Sequence, residues 1–232
     1  EDSVQATETR EKDRWRLFAR IGFRKPQGQS NFNWTPKHMT LRIITPPAAE
    51  PVSATEVMQW SRIDASVEVP DPIAANIALL IPAARKVAEN ITGRGLILQT
   101  WEQVYDKFPA REIEIGMLPI QSITSVKYYD SDGVLQTLDS TDYVLDNDTL
   151  PGWVLPAYGF DWPSTYDSAQ SVIIRFIAGY GADGTSVPAE IKMWISAQCA
   201  AAYNNPSGLM DGKAETLPFI DGLLDSFRVR WL

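Results

Sequence analysis

The sequence has very few of the residues that most enzymes and metal sites use. It contains one histidine, His38, and one cysteine, Cys199, among 232 residues. A single histidine excludes His-based metal clusters and nearly all Ser-His and Cys-His nucleophile pairs. One cysteine excludes an internal disulfide framework and is compatible with assembly in a reducing cytoplasm. The sequence therefore predicts no catalytic residues, no metal site and no cofactor.

Long hydrophobic runs are also missing. No apolar stretch approaches the roughly 18 residues that can span a bilayer, and nothing near residue 1 resembles the apolar core of a secretory signal. Hydrophobic residues make up 44% of the chain and charged residues 22%, which is normal for a folded domain. We therefore expect no membrane partner.

Positive charge is scarce beyond the first 38 residues. Residues 1–38 carry 8 Lys/Arg and 5 Asp/Glu, whereas residues 39–232 carry 13 and 24. An acidic body does not attract DNA phosphates through its average field, although it can surround DNA without gripping it. The basic stretch 10–25 places Trp15 and Phe18 on one face at helical spacing. Because such an arm buries too little to fold alone, we expect Trp15 and Phe18 to contact a neighbouring subunit or another protein surface.

Two helices are predicted before residue 94. Ser53 and Glu56 form a capping-box pattern that opens a short helix to about Ile63. A longer helix begins at Asp71 and Pro72, ends at Gly93 and is bent at Pro82. Its apolar residues recur at three- and four-residue spacing, which predicts a single core-facing stripe. The stripe consists of Ile73, Ile77, Leu80, Ile81, Ala84, Val87, Ala88 and Ile91.

The pattern from residue 96 to residue 177 favours strands. Residues 111–115 alternate, residues 122–129 are rich in β-branched and aromatic side chains, and residues 171–178 predict a central strand. Asp130-Ser-Asp-Gly133 predicts a hairpin turn. Short connections favour antiparallel pairing. Shorter strands are expected at 134–138, 143–146 and 152–155.

Helical spacing returns at Pro188, and a final element begins at Leu217. The predicted fold class is α+β: a helical bundle interrupted by an antiparallel β insertion, with C-terminal helices. The expected organisation is an N-terminal extension with a basic arm and linker at 1–38 and one domain at 39–232, with helices at about 53–93, the β insertion at about 96–178, helices at about 188–226 and a C-terminal tail at 227–232.

The C-terminal tail changes to a period of two. Phe227, Val229 and Trp231 alternate with Arg228 and Arg230. Period two is typical of a strand, and a strand at a chain end can add to the sheet of a partner. The alternative is that the last helix continues to Trp231 and packs on its own domain.

Residues 153–166 form an aromatic loop among prolines and glycines, with candidate intersubunit contacts at Trp153, Tyr158, Phe160 and Trp162. These rings either contact a neighbouring subunit or cover the end of the β region within one chain. A sugar-stacking platform is a third interpretation.

Three apparent chemical motifs are better explained by structure. Gly179-Tyr-Gly-Ala-Asp-Gly184 matches G-x-G-x-x-G, but the next helix begins near Pro188 and no second parallel strand follows it. Asp130 and Asp146 lie in calcium-like fragments without the terminal bidentate glutamate of an EF-hand. Cys199 has no base in its helix and is expected to be a small buried packing residue.

Several segments together resemble the head-tail connector (adaptor) proteins of long-tailed bacteriophages, from about residue 52 to residue 232. The first is DPIAANIALLIPAARKVAENITGR at 71–94, running into LQTWE at 98–102. The second is FIAGYG at 176–181, followed by VPAEIK at 187–192. The third is LLDSFRVRW at 223–231. The first 38 residues fall outside the resemblance.

The resemblance implies a non-enzymatic structural virion protein in the neck between head and tail, assembled in the host cytoplasm. It would form a homo-oligomeric ring, expected to be dodecameric, that extends the DNA channel and gives tail completion a docking platform. Its partners would be the portal protein, a tail stopper or tail-completion protein, and double-stranded DNA that passes without specific binding. In this family the chain end lies towards the portal, so Phe227, Arg228, Val229, Arg230 and Trp231 would dock there. Two other classes stay open: a carbohydrate-binding or tail-fibre-like β module using residues 153–166, and a nucleotide-dependent enzyme using the glycine triplet.

Overall fold

A computed structural model describes residues 39–63, 71–205 and 218–229 of the chain. Within these residues the chain combines antiparallel β-sheet with α-helix, so the mixed α and β class is confirmed. Two single 3₁₀ turns lie at Gly184–Ser186 and Asp225–Phe227. The elements, in chain order, are β1 Met39–Thr45, α1 Ala54–Trp60, α2 Asp71–Thr92, β2 Gln99–Tyr105, β3 Ile113–Glu114, β4 Ile120–Tyr129, β5 Leu135–Thr137, β6 Tyr143–Asp146, β7 Trp153–Pro156, β8 Val172–Ala178, α3 Ala189–Asn204 and α4 Pro218–Gly222.

The larger sheet has five strands in the order β1-β2-β8-β4-β5, and every neighbouring pair is antiparallel. Strand β8 lies in the middle, as its apolar sequence predicts. Every second side chain of β8 is fully buried, and Phe176 lies opposite Trp101 of β2. Antiparallel pairing of the strands is therefore confirmed, although only β4 and β5 in this sheet are joined by a short connection.

The first strand, β1, was not predicted from the sequence. It precedes both N-terminal helices, yet it forms one edge of the sheet, with Met39 opposite Tyr105. The sheet is therefore not built from the segment 96–178 alone, which corrects the picture of a self-contained β insertion. Most of β1 is exposed, so its sequence lacks the alternation of apolar and polar residues by which a half-buried strand is recognised.

A second, three-stranded sheet has the order β3-β7-β6 and closes the β core. Val154 of β7 and Ile113 of β3 are paired and fully buried. They form one apolar cluster with inward side chains of the larger sheet, among them Ile174 and Phe176. Full burial of each such side chain stabilises the fold by about 1.5–3 kcal/mol.

The helices α1, α2 and α3 surround a separate apolar core. Ile77, Ile191 and Ile195 are completely buried in it. The predicted capping box of α1 is confirmed: the Ser53 Oγ accepts a hydrogen bond from the Glu56 amide at 3.1 Å, and the Glu56 carboxylate accepts one from the Ser53 amide at 2.6 Å. These contacts satisfy two amides that no carbonyl of the helix can reach.

Helix α2 is one continuous element across Pro82, as predicted, but its apolar stripe is only partly a core face. Ile77, Ile81 and Ala88 are buried, whereas Val87 and Ile91 are 48% and 37% exposed. The prediction that Val87 and Ile91 lie in the core was wrong for the single chain. The reason is that the apolar positions of α2 extend beyond the side that the other elements of the domain cover.

A buried carboxylate joins α2 to the sheet. Glu89 has no solvent exposure, and it accepts hydrogen bonds from the Gln99 side-chain amide at 2.6 Å and from the Leu96 backbone amide at 3.3 Å. Arg85 donates to the other carboxylate oxygen at 3.2 Å. The contacts connect the last turn of α2 to the start of β2. They therefore fix the angle at which the helical layer meets the sheet.

The C-terminal helix is shorter than predicted. Helix α3 ends at Asn204, and residues 206–217 lie outside the described part of the chain. Helix α4 has five residues, Pro218–Gly222, and a 3₁₀ turn at Asp225–Phe227 follows. All four apolar residues of this segment still pack on the helical core: Ile220, Leu223, Leu224 and Phe227. Their spacing therefore results from contact with the same core and not from one long helix.

Candidate interaction surfaces

The solvent side of α2 carries a row of apolar residues, beside the exposed Asn76 and Asn90 and the Lys86 side chain, which is 44% exposed. Leu79 is 73% exposed, and Ala75, Ala83, Val87 and Ile91 continue the same row at four-residue spacing. Residues four apart lie one above the other on a helix. We call these five residues the α2 stripe. Exposed apolar residues in a continuous row are unusual on a monomer and mark interaction sites.

The outer face of the five-stranded sheet carries a row of three charged residues. The strand register places Arg42 of β1 opposite Glu102 of β2, and Glu102 opposite Arg175 of β8. Arg42 Nε donates to one carboxylate oxygen at 2.8 Å, and Arg175 Nη2 donates to the other at 2.7 Å. The Glu102 side chain is almost fully buried beneath the two guanidinium groups, each of which is about half exposed.

The environment of Glu102 favours its ionised form. Burial alone raises the pKa of this carboxyl, but hydrogen bonds from Arg175 and Arg42 outweigh that effect and hold the pKa below its usual value. The carboxylate therefore remains charged at neutral pH and orients both arginines. The two guanidinium groups keep further donors directed at solvent.

The rest of this outer face carries a lysine together with polar and apolar side chains. Lys127 and Ser125 of β4 lie on it, since Ser125 is opposite Arg175 and Lys127 is two residues farther along the strand. Apart from the covered Glu102, the register places no carboxylate on this face. We call it the basic sheet face; its members are Thr40, Arg42, Thr100, Glu102, Val104, Ser122, Ser125, Lys127, Tyr129, Leu135, Thr137, Ile173, Arg175 and Ile177.

Negative charge collects on the loops between the strands. From residue 128 to residue 174 the chain has eight aspartates and no lysine or arginine. Two of the loops meet at one end of the sheet, where the Tyr166 amide donates to the Tyr129 carbonyl at 3.0 Å. At the same end the Gln170 amide donates to the Asp106 carboxylate at 2.9 Å. We call this region the acidic end; its carboxylates are Asp106, Asp130, Asp132 and Asp167, beside one lysine, Lys107.

The aromatic loop contributes mainly to its own β core. Trp162 stacks on Phe108 with ring centroids 4.9 Å apart, and its indole N–H donates to the Arg111 carbonyl. Phe160 packs against the β core, and Trp153 is half-buried in β7. Only Tyr158, of the four predicted contact residues, is fully exposed. Within one chain the loop therefore covers the β region, and the exposed rings of Tyr158 and Tyr166 remain available to another molecule.

The described part of the C-terminal tail lies on its own domain. Phe227 packs on the helical core, and its carbonyl accepts a hydrogen bond from Arg94 Nε at 2.7 Å. Val229 contacts the β core, and its amide donates to the Thr92 carbonyl at 2.9 Å. Between them Arg228 is extended and exposed. Neither a long helix nor a free strand describes these three residues.

The remaining predicted contact residues lie outside the described chain. Trp15 and Phe18 belong to residues 1–38, and Arg230 and Trp231 follow the last described residue, Val229. Portal docking by residues 227–232 and ordering of the arm against a neighbour both stay predictions.

The apparent chemical motifs have structural roles. Gly179 adopts a φ of 142°, which is reserved for glycine, and a Cβ there would collide with the Ile97 backbone. The glycine triplet thus makes a tight turn from β8 into the 3₁₀ turn before α3. Asp130 and Asp146 accept hydrogen bonds from backbone amides of their own turns. Cys199 is buried in α3, and burial raises the pKa of its thiol to about 11.

The structure gives no grouping suited to metal ligation in the ranges it describes. Across 39–63, 71–205 and 218–229, no three His, Cys, Asp or Glu residues lie together as a metal ion would need. None of the described helices is both long and apolar enough to cross a membrane.

Comparison with solved structures finds the same fold in gene transfer agent (GTA) particles. One match is a chain of the neck of an empty GTA particle computed with C6 symmetry, with a TM-score of 0.69 and 19% identity. A second is a chain of the native GTA virion, with a TM-score of 0.65 and 20% identity. A third is a chain of the native GTA neck computed with C12 symmetry, with a TM-score of 0.62 and 18% identity. Each match covers 83% of this chain and 97% of the other chain.

At this level of identity the likeness shows a shared fold, and it extends over nearly the whole of each neck or virion chain. No family model matches the sequence, and no curated protein matches it significantly.

Proposed function

We propose that this chain is a non-enzymatic structural subunit of the neck of a phage-like particle. In the proposal, copies of the chain form a ring between portal and tail, extend the DNA channel and offer a platform on which the tail is completed. The observation that carries the proposal is the fold, which covers 97% of each GTA chain it matches. Two of those structures are necks computed with cyclic symmetry, which supports a ring over a monomer.

The α2 stripe supports the same proposal independently. A continuous row of exposed apolar side chains on a helix is stabilised when another surface covers it. The single chain covers only the side that holds Ile77, Ile81 and Ala88. A second copy packed on Leu79, Val87 and Ile91 would complete the burial, and each side chain covered would stabilise the contact.

In this proposal both ends of the chain contact other proteins of the particle. Residues 230–232, with the exposed Arg228, would dock on portal carboxylates. The basic arm at 10–25 would become ordered against a neighbouring subunit or a capsid or portal surface. The alternative function, a carbohydrate-binding module, loses support because Phe160 and Trp162 are committed to the β core and do not form an open stacking platform.

The test is the oligomeric state of the purified full chain and of an α2 variant. Leu79→Asp places a charge on an exposed site, so it should leave the melting temperature within about 2 °C while weakening ring formation at least about tenfold. Leu150→Asp is the matched control, because Leu150 is 63% exposed in a loop between strands. Sedimentation velocity and negative-stain microscopy report the ring. A wild-type chain that stays monomeric, alone and with the portal of its particle, contradicts the proposal.

A further inference from the structure

The net charge of the basic sheet face is positive, whereas the net charge of the whole chain is negative. The chain has a formal net charge of −8, yet this face presents Arg42, Arg175 and Lys127 against one carboxylate, Glu102, that is covered by the arginines. A cluster of positive charges on a protein of negative net charge calls for an explanation. Solubility does not supply one, because the acidic loops already keep the net charge far from zero.

The arginines on this face are held in place before any partner arrives. Glu102 binds Arg175 through Nε and Nη2, at 3.2 and 2.7 Å, and binds Arg42 through its other oxygen. Ordering a long side chain on binding costs about 0.5–1.5 kcal/mol. Two arginines fixed by a buried carboxylate avoid most of that cost and still direct unused N–H groups outward.

A surface of complementary charge exists on the same chain. The acidic end presents Asp132 and Asp167 as exposed residues on two loops joined by the contact between Tyr166 and Tyr129. The carboxylates of Asp132 and Asp167 do not make the turn hydrogen bonds that the Asp130 carboxylate makes. Their acceptor positions are therefore directed to solvent or to a partner.

We propose that the basic sheet face of one copy docks against the acidic end of the next copy, an inference that rests on the ring of the proposed function. The two surfaces are different parts of one chain, so the contact is head-to-tail. A head-to-tail contact repeats from copy to copy and closes into a ring when the rotation allows it. Charge complementarity sets the direction in which neighbours add, while the α2 stripe contributes apolar contact.

Duplex DNA is the other polyanion that fits arginine, lysine and hydroxyl groups. A second copy is favoured for two reasons. The chain carries a net charge of −8, with eight aspartates between residues 128 and 174, and this negative charge repels a phosphate backbone. The complementary carboxylates are also present in every subunit at the same concentration as the basic face.

The experiment reverses each surface separately and then both together in the full chain. Ser122→Glu with Lys127→Glu removes one positive charge and adds two negative charges to the basic sheet face, and it leaves the Glu102 contacts intact. Asp132→Lys with Asp167→Lys reverses the acidic end. Glu112→Lys with Asp148→Lys is the matched control, because both residues are exposed on other parts of the β region. Sedimentation velocity between about 50 and 500 mM salt reports the ring, and melting temperature reports folding.

Each single-surface variant should lower ring association at least about tenfold at about 100 mM salt. The chain that carries both reversals should recover most of it, since the surfaces are again complementary, and the control should resemble the wild type. If both single-surface variants form rings as well as the wild type does, the docking proposal is wrong and the proposed function is unaffected. Failure of the wild type to form any ring overturns the proposed function itself.

DNA binding gives a separate outcome. Fluorescence anisotropy with a 30-base-pair duplex at low salt should show no binding that depends on Lys127. If the wild type binds the duplex, and Ser122→Glu with Lys127→Glu abolishes that binding while the rings stay intact, the basic sheet face is a DNA contact and the docking proposal is wrong.

Discussion

Buried polar side chains join segments of this protein that are distant in sequence. Glu102 contacts Arg42 and Arg175, which lie 60 and 73 residues away, and Glu89 connects α2 to β2. From the sequence alone these residues are ordinary charges on a helix and a strand. Their partners follow only from strand order and register, which no local pattern determines. For this reason the sequence located aromatic and C-terminal contact candidates but did not identify the basic sheet face.

Replacing Glu102 with glutamine tests the energetic role of this carboxylate. Glutamine keeps the shape but loses the charge that both arginines contact, so the free energy of unfolding at pH 7 should fall by about 1–3 kcal/mol. Urea denaturation measures it. Glu112→Gln, at an exposed position, is the control and should change stability by less than about 0.5 kcal/mol.

The pH dependence of stability gives a second readout of Glu102. Because the folded-state pKa lies below the unfolded value of about 4.3, the carboxylate contributes its full stability above that unfolded value. The contribution is lost as the pH falls from about 4.3 through the lower folded pKa. The glutamine variant should therefore lose less stability than the wild type across this acid range. Parallel curves for the two proteins would mean that Glu102 does not carry the effect.

Among the elements, those with a local signal were predicted well. The capping box opens α1, the 3.6-residue period gives α2 its length, and the apolar run 171–178 predicts the central strand. Strand β1 was missed because an exposed edge strand has no burial pattern to detect. Sequence alone did not determine which apolar positions of α2 face the core, because Leu79 and Val87 are apolar and yet lie on its solvent side. Only the packing of α3 against one side decides between them.

Helix α2 provides a direct comparison between its two apolar sides. Ile77→Ala should lower the free energy of unfolding by about 2–5 kcal/mol, because Ile77 is fully buried and its truncation leaves a cavity. Val87→Ala should lower it by less than about 0.5 kcal/mol under conditions where the protein is monomeric. Chemical denaturation of both variants measures the difference. Equal losses would show that the α2 stripe is already covered within a single chain.

The C-terminal segment divides into a part that packs on its own domain and a part predicted to dock on the portal. Phe227→Ala should lower the melting temperature by several degrees, because the side chain packs on the helical core. Deletion of residues 230–232 should leave the melting temperature unchanged and weaken binding to the portal. Differential scanning fluorimetry and portal pull-down measure the two effects. A deletion that lowers stability and retains binding would assign the last residues to the chain's own core.

At the scale of the whole molecule, charge is separated rather than spread evenly. The average composition predicts an acidic body, and that holds for the loops between strands, but the outer face of the larger sheet is basic. The composition could not reveal this arrangement because it depends on which strands are neighbours. A ring built from such subunits has defined directions for neighbour contact, and the sign of any channel lining depends on which surface faces the axis.

The basic arm provides a test of assembly at this scale. A chain that lacks residues 1–38 should fold, with an unchanged melting temperature for the domain at 39–232, and it should join particles less efficiently than the full chain. Complementation of a particle that lacks the native protein, with quantitative blotting of purified particles, measures incorporation. Equal incorporation of both chains would show that assembly does not need the arm.

Cryo-electron microscopy of the particle that contains this chain tests the central claim most directly. The account predicts a cyclic ring of copies in the neck, between the portal and the first tail component, around an axial channel wide enough for duplex DNA. In that density the α2 stripe should lie against a neighbouring copy. Density for the chain outside the neck, for example at a fibre tip, or a neck ring in which the stripe faces solvent would contradict the account.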